Sequence, residues 1–315
     1  MKLSDYQHLV YPVTKGKRPS SVKIRPLLEK YGILPDREYG QNFITDRNLI
    51  DREVSLAEVR KKDIVLEIGP GIGILTEALA RKAKRVIAIE KDAQFRDILA
   101  DLQKRSPNLE IVFDDAVTAE FPKFNKVVSN LPFKVALPII FKLMNYDFDL
   151  AILICQERLT RRIAAKPGEA MYSRLSVQVA RRTEARLLHT ISKTKFYPSP
   201  DVNAALLRLE RIPPMFEVPS EDFFREVLKY SFAFREKSVS RALNTLKAFS
   251  ISKSEMMRAR RLIGEGIVRK QVFYVTPPEF GRITRILWDE FGDITRRFYK
   301  YYEKMNLYQR ESEGL

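Results

Sequence analysis

The segment IVLEIGPGIGILT, from Ile64 to Thr76, has the pattern of a short buried strand, a glycine-rich turn and the beginning of a helix. Glycine has no side chain to hold the backbone away from a ligand, and the N-terminus of the following helix offers free N–H groups. The segment therefore predicts a nucleotide-like cofactor site after the first strand of an α/β sheet. It does not name the cofactor, because nicotinamide enzymes use the same device.

Strand-like and helix-like segments alternate beyond this motif. The strand-like runs are Ile64 to Ile68, Arg85 to Ile89, Glu110 to Phe113, Lys126 to Ser129 and Leu150 to Ile154, and helix-like stretches such as 75–82 and 93–103 lie between them. This order predicts parallel strands joined by right-handed crossovers, hence a Rossmann-like, doubly wound α/β sheet. Two later runs, 185–191 and 204–209, are too close for a helical crossover and predict an antiparallel edge hairpin, as is common in methyltransferases.

Composition changes divide the chain into three parts. Residues 1–26 are polar and basic without a sustained period, which predicts a loose N-terminal arm. Residues 27–212 are expected to form the sheet domain. Pro213-Pro214 then interrupts the chain, and residues 213–315 predict a small all-helical C-terminal domain, with helices at 221–232, 237–246, 253–263 and 278–288. Residues 214–315 carry 19 basic and 14 acidic groups, so we expect this domain to bind a polyanion such as RNA.

The charge of the chain favours a polyanionic partner. Lys and Arg number 56 against 40 Asp and Glu, which gives a net charge of +16 in 315 residues. Residues 61–157 carry 14 basic and 14 acidic groups, whereas residues 158–211 carry 12 and 4. We expect the neutral part to hold the chemistry and the basic parts to face phosphates, with nucleic acid preferred over an anionic membrane surface.

Several classes of protein are disfavoured by what the sequence lacks. Cys155 is the only cysteine and the chain has two histidines, so neither a disulfide nor a zinc site is expected. We expect no metal cofactor. No apolar run reaches the roughly 18 residues of a membrane span, and the N-terminus lacks the apolar core of a signal peptide. These features predict a cytoplasmic protein without a membrane partner, which we expect to be a monomer.

Three carboxylates favour S-adenosylmethionine as the cofactor. Glu90, at the end of the second strand, fits the acid that accepts hydrogen bonds from ribose hydroxyls. Glu67 stands two residues before the first glycine, where a carboxylate could face a cationic methionine group. Asp114 and Asp115 end the third strand, and we select Asp115 for the adenine amine because strand alternation lets only one of them point inward.

The fourth strand ends in Asn130-Leu131-Pro132-Phe133, which fits the activation of an aromatic amine. The Asn130 side-chain oxygen and the Leu131 carbonyl could accept both hydrogens of the amine and localise its lone pair on nitrogen. Pro132 fixes the turn, and Phe133 can stack on a base that is swung out of its helix. An ordinary β-turn would explain Asn and Pro equally well if the motif stood alone.

At this point the sequence resembles the KsgA-type ribosomal RNA adenine N6,N6-dimethyltransferase family, over about residues 27–288. GQNFI at 40–44, EIGPGIGILT at 67–76 and NLPF at 130–133 match its motifs, as do QER at 156–158, AKPG at 165–168, YSRLSV at 172–177 and FYPSPDV at 196–202. The resemblance implies a cofactor pocket and an adenine held between Phe133 and Phe196. The expected cofactor-binding set is Gln41, Asn42, Ile44, Glu67, Gly69, Gly71, Glu90, Asp115 and Asn130. The expected catalytic set is Asn130, Leu131, Pro132, Phe133 and Phe196.

The resemblance also implies dimethylation of two adjacent adenines near the 3′ end of small-subunit rRNA, on the pre-ribosomal small subunit. The sequence departs from the family where Phe133 replaces the usual Tyr, Asp201 a usual Lys, and Glu236 interrupts a basic helix. A large-subunit rRNA adenine methyltransferase is the alternative enzyme. A non-catalytic RNA- or DNA-binding assembly or transcription factor is the alternative from another class, and the intact Gly69, Glu90, Asp115 and Asn130 favour an enzyme.

Overall fold

The structure, a computed structural model, describes residues 22–36, 39–244 and 251–292. These residues form two compact units. Of the described residues, the first unit contains those up to Arg161 together with Glu184–Arg211, and the second contains Arg162–Thr183 together with those from Ile212 onward. The chain therefore passes between the units near residue 212 and also at each end of the segment 162–183, which belongs to the helical unit and not to the predicted sheet domain.

The first unit is built on a seven-stranded mixed sheet with the order β4-β3-β2-β5-β6-β9-β7. Neighbouring strands from β4 to β6 run parallel, and β9 runs antiparallel to β6. Short β1 and β8 pair separately, with Phe43 opposite Tyr197 and Ile44 opposite Phe196. The strands are β1 Phe43–Ile44, β2 Ile64–Ile68, β3 Arg85–Glu90, β4 Leu109–Phe113, β5 Lys126–Asn130, β6 Leu150–Gln156, β7 Thr183–Ile191, β8 Phe196–Tyr197 and β9 Ala204–Arg211. The predicted Rossmann-like sheet with an antiparallel edge is confirmed.

Helices cover this sheet and contribute to its core. They are α1 Ile24–Tyr31, α2 Arg47–Leu56, α3 Ile74–Ala80, α4 Arg96–Arg105 and α5 Ala136–Leu143, with 3₁₀ turns at Ala93–Phe95 and Lys193–Lys195; α6 follows at Glu157–Ala164. The expectation of a structureless arm does not hold for residues 22–26, because Ile24, Leu27 and Leu28 form the buried face of α1. Residues 1–21 of that arm lie outside the described residues.

The second unit is helical, as predicted. Its helices are α7 Arg174–Ala180, α8 Glu221–Ala233, α9 Val239–Asn244, α10 Lys253–Ile263, α11 Glu265–Val268 and α12 Pro277–Phe291, with a 3₁₀ turn at Val272–Tyr274. Capping boxes begin α10 at Ser252 and α12 at Thr276, where side chain and backbone satisfy each other's donors. Residues 245–250, which include the last two residues of the helix predicted at 237–246, lie outside the described part of the chain.

Segment 162–183 belongs to this unit because its apolar residues are buried there. Tyr172 and Val177 lie in the core of the helical unit, exposed by 1% and 0%. The Tyr172 hydroxyl donates to the Val275 carbonyl at 2.7 Å. Arg181, 3% exposed on its side chain, pairs with Glu217 and Glu221. These contacts join segments that lie far apart in sequence, so local patterns could not reveal them.

Gly281 in α12 provides a test of this packing. A Cβ added there would lie 2.6 Å from Cγ of Phe216, a ring that packs on Phe224 at 5.6 Å between centroids. We expect Gly281→Ala to lower the free energy of unfolding of the helical unit by about 1–3 kcal/mol, the usual cost of overpacking. Urea unfolding followed by tryptophan fluorescence measures this.

The matched control is Gly266→Ala in α11, where an added Cβ meets nothing within 4 Å. Both substitutions reduce the backbone freedom of the unfolded chain equally, so the control should be neutral or slightly stabilising. Equal stability of the two variants would contradict the packing described for Phe216.

Candidate active site

The reversal of strand order fixes the place of the candidate site. From β2 the chain proceeds to β3 and β4 on one side and, after β4, to β5 and β6 on the other. Loops therefore diverge at the carboxyl ends of β2 and β5, and such a point is where open α/β sheets bind ligands. A cavity of about 440 Å³ lies there, lined by residues from the loops after β2, β3, β4 and β5 and by residues 39–44.

The glycine-rich loop follows β2 in a conformation that only glycine adopts without strain. Gly71 and Gly73 have φ angles of +53° and +79°. A Cβ on Gly73 would lie 2.7 Å from the side chain of Leu102, and one on Gly71 would lie 3.0 Å from the ring of Phe43. The loop therefore keeps its backbone exposed to the cavity because no side chain fits there.

Glu90 closes the next strand and is oriented by the backbone. Its two carboxylate oxygens accept hydrogen bonds from the N–H groups of Gly71, at 2.9 Å, and Asp92, at 2.8 Å. The residue is 6% exposed, and burial raises the pKa of its carboxyl while these N–H groups oppose the shift. Each oxygen keeps lone-pair capacity for a further donor, as a ribose hydroxyl would provide.

The loop after β4 offers an acceptor next to a donor. Asp115 accepts from the Val117 N–H at 2.9 Å and forms an ion pair with Lys91 at 2.9 Å, and the backbone bond and the ammonium lower the pKa of its carboxyl. The Ala116 N–H has no hydrogen-bond partner among the described residues. An acceptor and a donor on adjacent residues match the amine and ring nitrogen of adenine.

The selection of Asp115 over Asp114 rested on strand alternation, and the geometry differs from that expectation. Both residues line the cavity. Strand β4 ends at Phe113, so the alternation of side chains does not extend to residues 114 and 115. The Asp114 carboxylate instead accepts from the Asp115 N–H at 2.7 Å.

The acceptor turn lies between two loops that line the cavity. The Asn130 side-chain nitrogen donates to the Asn42 carbonyl at 3.0 Å, which leaves its Oδ1 without a partner in the described part of the chain. Pro132 contacts the glycine loop, since a Cβ on Gly69 would lie 3.4 Å from its Cδ. The Leu131 N–H donates to Ile154 at 2.9 Å. The amide orientation thus presents an acceptor, as amine activation requires.

Glu67 is buried at the base of the cavity. It is 2% exposed, and its Oε2 has no hydrogen-bond partner among the described residues. Burial raises the pKa of its carboxyl to about 8, and the charge of Glu90 adds to the effect. A buried carboxyl oxygen without a donor fits a cationic ligand, such as the methionine portion of S-adenosylmethionine. Together with the glycine loop, Glu90 and Asp115, it makes the residues fit this cofactor.

Glu53 lies behind the cavity and was missed by the sequence analysis. It is fully buried, and neither carboxyl oxygen has a partner among the described residues. Burial raises the pKa of its carboxyl well above the usual range, and the charge of Glu67 adds to this shift. The missed signal is its position in α2, where Leu49, Ile50 and Val54 form the buried face together with Glu53.

Most of the predicted site residues converge on this cavity. Gln41, Asn42, Ile44, Glu67, Gly69, Gly71, Glu90, Asp115, Asn130, Leu131, Pro132 and Phe133 all line it. Gln41 is engaged with protein groups, because its amide donates to Asp92 at 2.6 Å and accepts from the Asp36 N–H at 2.8 Å. Lys91, Val135 and Ile139 also line the cavity and were not predicted.

Phe196 is the predicted residue that lies elsewhere. It is 4% exposed, belongs to the apolar core of the sheet unit, and is absent from the described cavity lining. Its pairing in β8 opposite Ile44 holds it there. A stacking role for Phe196 would require its side chain to leave this core, and that role stays a prediction.

Two further observations on the described segments concern membrane-spanning helices and metal-binding clusters. Within them, no helix has the length and apolar character that crossing a membrane requires. Nor do three or more His, Cys, Asp or Glu side chains come together there in a way that could hold a metal ion.

The fold and the loops around this cavity define a Rossmann-like S-adenosylmethionine-dependent methyltransferase. The sequence profile described as ribosomal RNA adenine dimethylase matches residues 35–266. The chain belongs to the ribosomal RNA adenine dimethylase family, which confirms the enzyme class and the cofactor that the motifs predicted.

Individual relatives agree with this assignment. A Thermococcus kodakarensis protein named "Probable ribosomal RNA small subunit methyltransferase A" is 38% identical, covering 84% of this chain and 94% of its own. A Methanosarcina acetivorans protein of the same name is 37% identical, covering 84% and 98%. Among solved structures, the dimethyladenosine transferase of Plasmodium falciparum superposes with a TM-score of 0.69 at 23% identity, covering 79% of this chain and 98% of that one. The 23S rRNA methyltransferase ErmE gives 0.61 at 26%, covering 78% and 99%.

The buried carboxyls predict how stability depends on pH. Between the usual carboxyl pKa of 4.5 and about 8, Glu67 holds a proton in the folded protein and loses it on unfolding, and Glu53, whose pKa is also raised well above the usual range, contributes in the same direction. The unfolded state then binds fewer protons, so the free energy of unfolding falls as pH rises, by about 1.4 kcal/mol per pH unit for each carboxyl. Glu53→Gln is neutral at every pH and should remove one of these two contributions.

We therefore expect Glu53→Gln to differ least from the wild type at pH 5 and to exceed it in stability increasingly toward pH 8. Urea unfolding at pH 5, 6, 7 and 8 measures the difference. Glu29→Gln, at an exposed position in α1, is the control and should not change the slope. A constant difference between Glu53→Gln and the wild type at all four pH values would show that Glu53 is not a buried neutral acid.

Proposed function

We propose that this protein dimethylates the exocyclic N6 amines of two adjacent adenines near the 3′ end of small-subunit rRNA during assembly of the ribosome. The observation that carries the proposal is the orientation of Asn130, whose side-chain nitrogen is held by the Asn42 carbonyl while Oδ1 stays available. The names of the relatives with 37% and 38% identity support the small subunit as the substrate. We place the reaction in the cytoplasm.

The chemistry follows from what Asn130 and its neighbours can hold. S-adenosylmethionine, when bound, supplies a methyl group that is carried on a sulfonium. The rest of the cofactor leaves as a neutral thioether. The Asn130 Oδ1 and the Leu131 carbonyl accept the two hydrogens of the adenine amine and localise the nitrogen lone pair for formation of the N–C bond. Phe133 provides a stacking face. The methylated ammonium loses its proton to water, so catalysis rests on alignment and on the electrostatics of the cavity.

The second methylation uses the same two acceptors with one hydrogen fewer. After one transfer the amine keeps a single N–H, and one of the two carbonyl oxygens suffices to hold it. The family usually has Tyr at the position of Phe133. Because Phe133 lacks the hydroxyl of Tyr, the methylated amine has an apolar neighbour. We infer that both methylations proceed in one cavity, with the amine rotated between them.

The basic part of the chain fits the proposed substrate. Residues 158–211 carry 12 basic and 4 acidic groups, and Lys193 and Lys195 flank the 3₁₀ turn before β8. The C-terminal helices add positive charge, and we propose that they bind rRNA phosphates. The competing hypothesis is that the substrate is large-subunit rRNA, and the superposition on ErmE favours it. Its TM-score is below that of the dimethyladenosine transferase, and its 26% identity is below the 38% and 37% of the relatives named for the small subunit, which makes it the weaker one.

The deciding experiment maps the modified adenines. Unmethylated small subunits and large subunits are incubated separately with the protein and labelled S-adenosylmethionine, and dimethyladenosine is located by primer extension and mass spectrometry. We expect label in two adjacent adenines near the 3′ end of small-subunit rRNA and none in large subunits. Label confined to large-subunit RNA would replace the proposal with the competing one, and absence of label in both would favour a non-catalytic binder.

The role of Asn130 is tested by Asn130→Ala. We expect methyl transfer to fall by about 100-fold or more, the usual loss when an oriented polar group at a reacting centre is removed, with cofactor affinity within a few-fold of wild type. Transfer is measured with labelled cofactor and affinity by calorimetry. Asn145→Ala, in an exposed turn after α5, is the control and should transfer normally. Retained transfer in Asn130→Ala would remove Asn130 from the mechanism.

A further inference from the structure

Lys142 makes an unusual set of contacts close to the cofactor cavity. It lies near the end of α5, and its ammonium donates to the backbone carbonyls of Ala116, at 2.9 Å, Val117, at 3.2 Å, and Ala119. The ammonium also lies 4.2 Å from the ring centroid of Phe121. All these partners belong to the loop that follows β4, which carries the acceptor Asp115.

Three converging carbonyls match the donors of lysine. An ammonium has three N–H groups, so all three can be satisfied by this loop without a carboxylate partner. Within the loop, the N–H groups of Thr118 and Ala119 donate to the Asp115 carbonyl at 3.0 and 2.8 Å, and those of Val117 and Asp115 donate to the carboxylates of Asp115 and Asp114. The ammonium adds three bonds from outside the loop and ties the Ala116, Val117 and Ala119 carbonyls to one point of α5. Without it, three partly buried carbonyls would lose a charged donor, which is costly.

Burial and the neighbouring carboxylates act in opposite directions on Lys142. Burial lowers the pKa of its ammonium, while the carboxylates of Asp115, Asp114 and Glu120 oppose the shift. The cation in turn helps to lower the pKa of Asp115. Lys142 thus acts on the loop in two ways, by hydrogen bonds to its carbonyls and by attraction to its carboxylates.

The place of Lys142 in the chain connects two parts of the site. Helix α5 begins at Ala136, directly after the acceptor turn, and Val135 and Ile139 near its start line the cavity. Ala116 and Val117, whose carbonyls the ammonium holds, line the cavity as well. One short helix therefore carries the acceptor turn at its start and holds the loop after β4 from its end.

We propose that Lys142 is a positioning residue for cofactor selectivity, which holds Asp115 and the Ala116 N–H at the spacing that recognises the adenine edge. The proposal rests on Asp115 as the adenine acceptor, a role that the test below examines separately. Lys142 touches neither cofactor nor substrate in this account. It sets the discrimination between adenine and a base without the exocyclic amine.

The test compares two ligands that differ at this edge. S-adenosylhomocysteine carries the amine, and S-inosylhomocysteine has an oxygen in its place. In wild-type protein the Asp115 carboxylate and the Ala116 N–H favour the first. In Lys142→Met, which keeps most of the apolar length of the side chain and removes the donors, we expect about tenfold weaker binding of S-adenosylhomocysteine and much less change for S-inosylhomocysteine, since one well-placed hydrogen bond to a charged group has about this effect.

Controls separate positioning from folding. Lys104→Met makes the same substitution at an exposed site in α4 and should change neither affinity. Thermal unfolding of the free variants shows whether Lys142→Met folds, and Lys142→Arg, which keeps a cation and several donors, should restore part of the discrimination. If Lys142→Met does not fold, the Arg variant carries the test, with a measurable loss of discrimination expected because its planar group cannot point at all three carbonyls.

The outcomes distinguish the proposed role of Lys142 from its premise, the assignment of Asp115 as the adenine acceptor. Asp115→Asn should itself remove the preference for S-adenosylhomocysteine, and an unchanged preference would overturn the assignment of Asp115 and the proposal with it. If Asp115→Asn loses the preference but a folded Lys142→Met keeps it, the role of Lys142 is overturned alone. Equal weakening of both ligands by Lys142→Met would show general destabilisation of the loop, which also overturns selectivity through Lys142.

Discussion

The order of the strands is the constraint on which the rest of the structure depends. Because the sheet continues outward from β2 on one side and from β5 on the other, the helices that follow these two strands leave their carboxyl ends in different directions. The gap between them cannot be filled by the sheet itself. The glycine loop, Glu90, Asp115 and Asn130 all stand at the carboxyl ends of strands, so parallel pairing alone brings them to one cavity.

The acceptor turn is positioned by neighbouring loops that line the cavity. The Ser129 hydroxyl donates to the Ile68 carbonyl at 2.6 Å, which ties the ends of β5 and β2 together one residue before each loop begins. Asn130 then bonds Asn42, and Pro132 packs beside Gly69. The position of the acceptor turn relative to the glycine loop is therefore set by two adjacent strand ends. A change in either loop would alter the position of the other, because these contacts join them directly.

The sequence predicted the elements whose signal is local. Strand bounds from β2 to β6 were correct to within two residues because buried parallel strands are short β-branched runs bounded by polar turns. Features that depend on contacts between distant residues were missed. Segment 162–183 joins the helices through Tyr172 and Arg181, and Phe196 is buried by its pairing with β1, which no local pattern encodes. The sequence alone does not distinguish Lys142 from other lysines in helices, because its three carbonyl partners are apparent only in the folded chain.

The proposed function requires one protein to attract both a cation and a polyanion, and the separation of buried acidic groups from exposed basic groups makes this possible. The cofactor is a cation and the proposed substrate a polyanion, so one surface potential cannot attract both. Glu53, Glu67 and Glu90 are 0%, 2% and 6% exposed, inside a chain with a net charge of +16. Buried carboxyls act strongly over a short range because the surroundings are weakly polarisable, whereas exposed lysines and arginines act over longer distances and are screened by salt.

Glu67 can be neutral when the cavity is free and become ionised beside a cation, so the desolvation of its charge is compensated only when the ligand is present. Glu67 and Glu90 line the cavity, so their charges act on a cationic ligand at contact distance without cancelling the longer-range attraction that exposed basic groups exert on a polyanion.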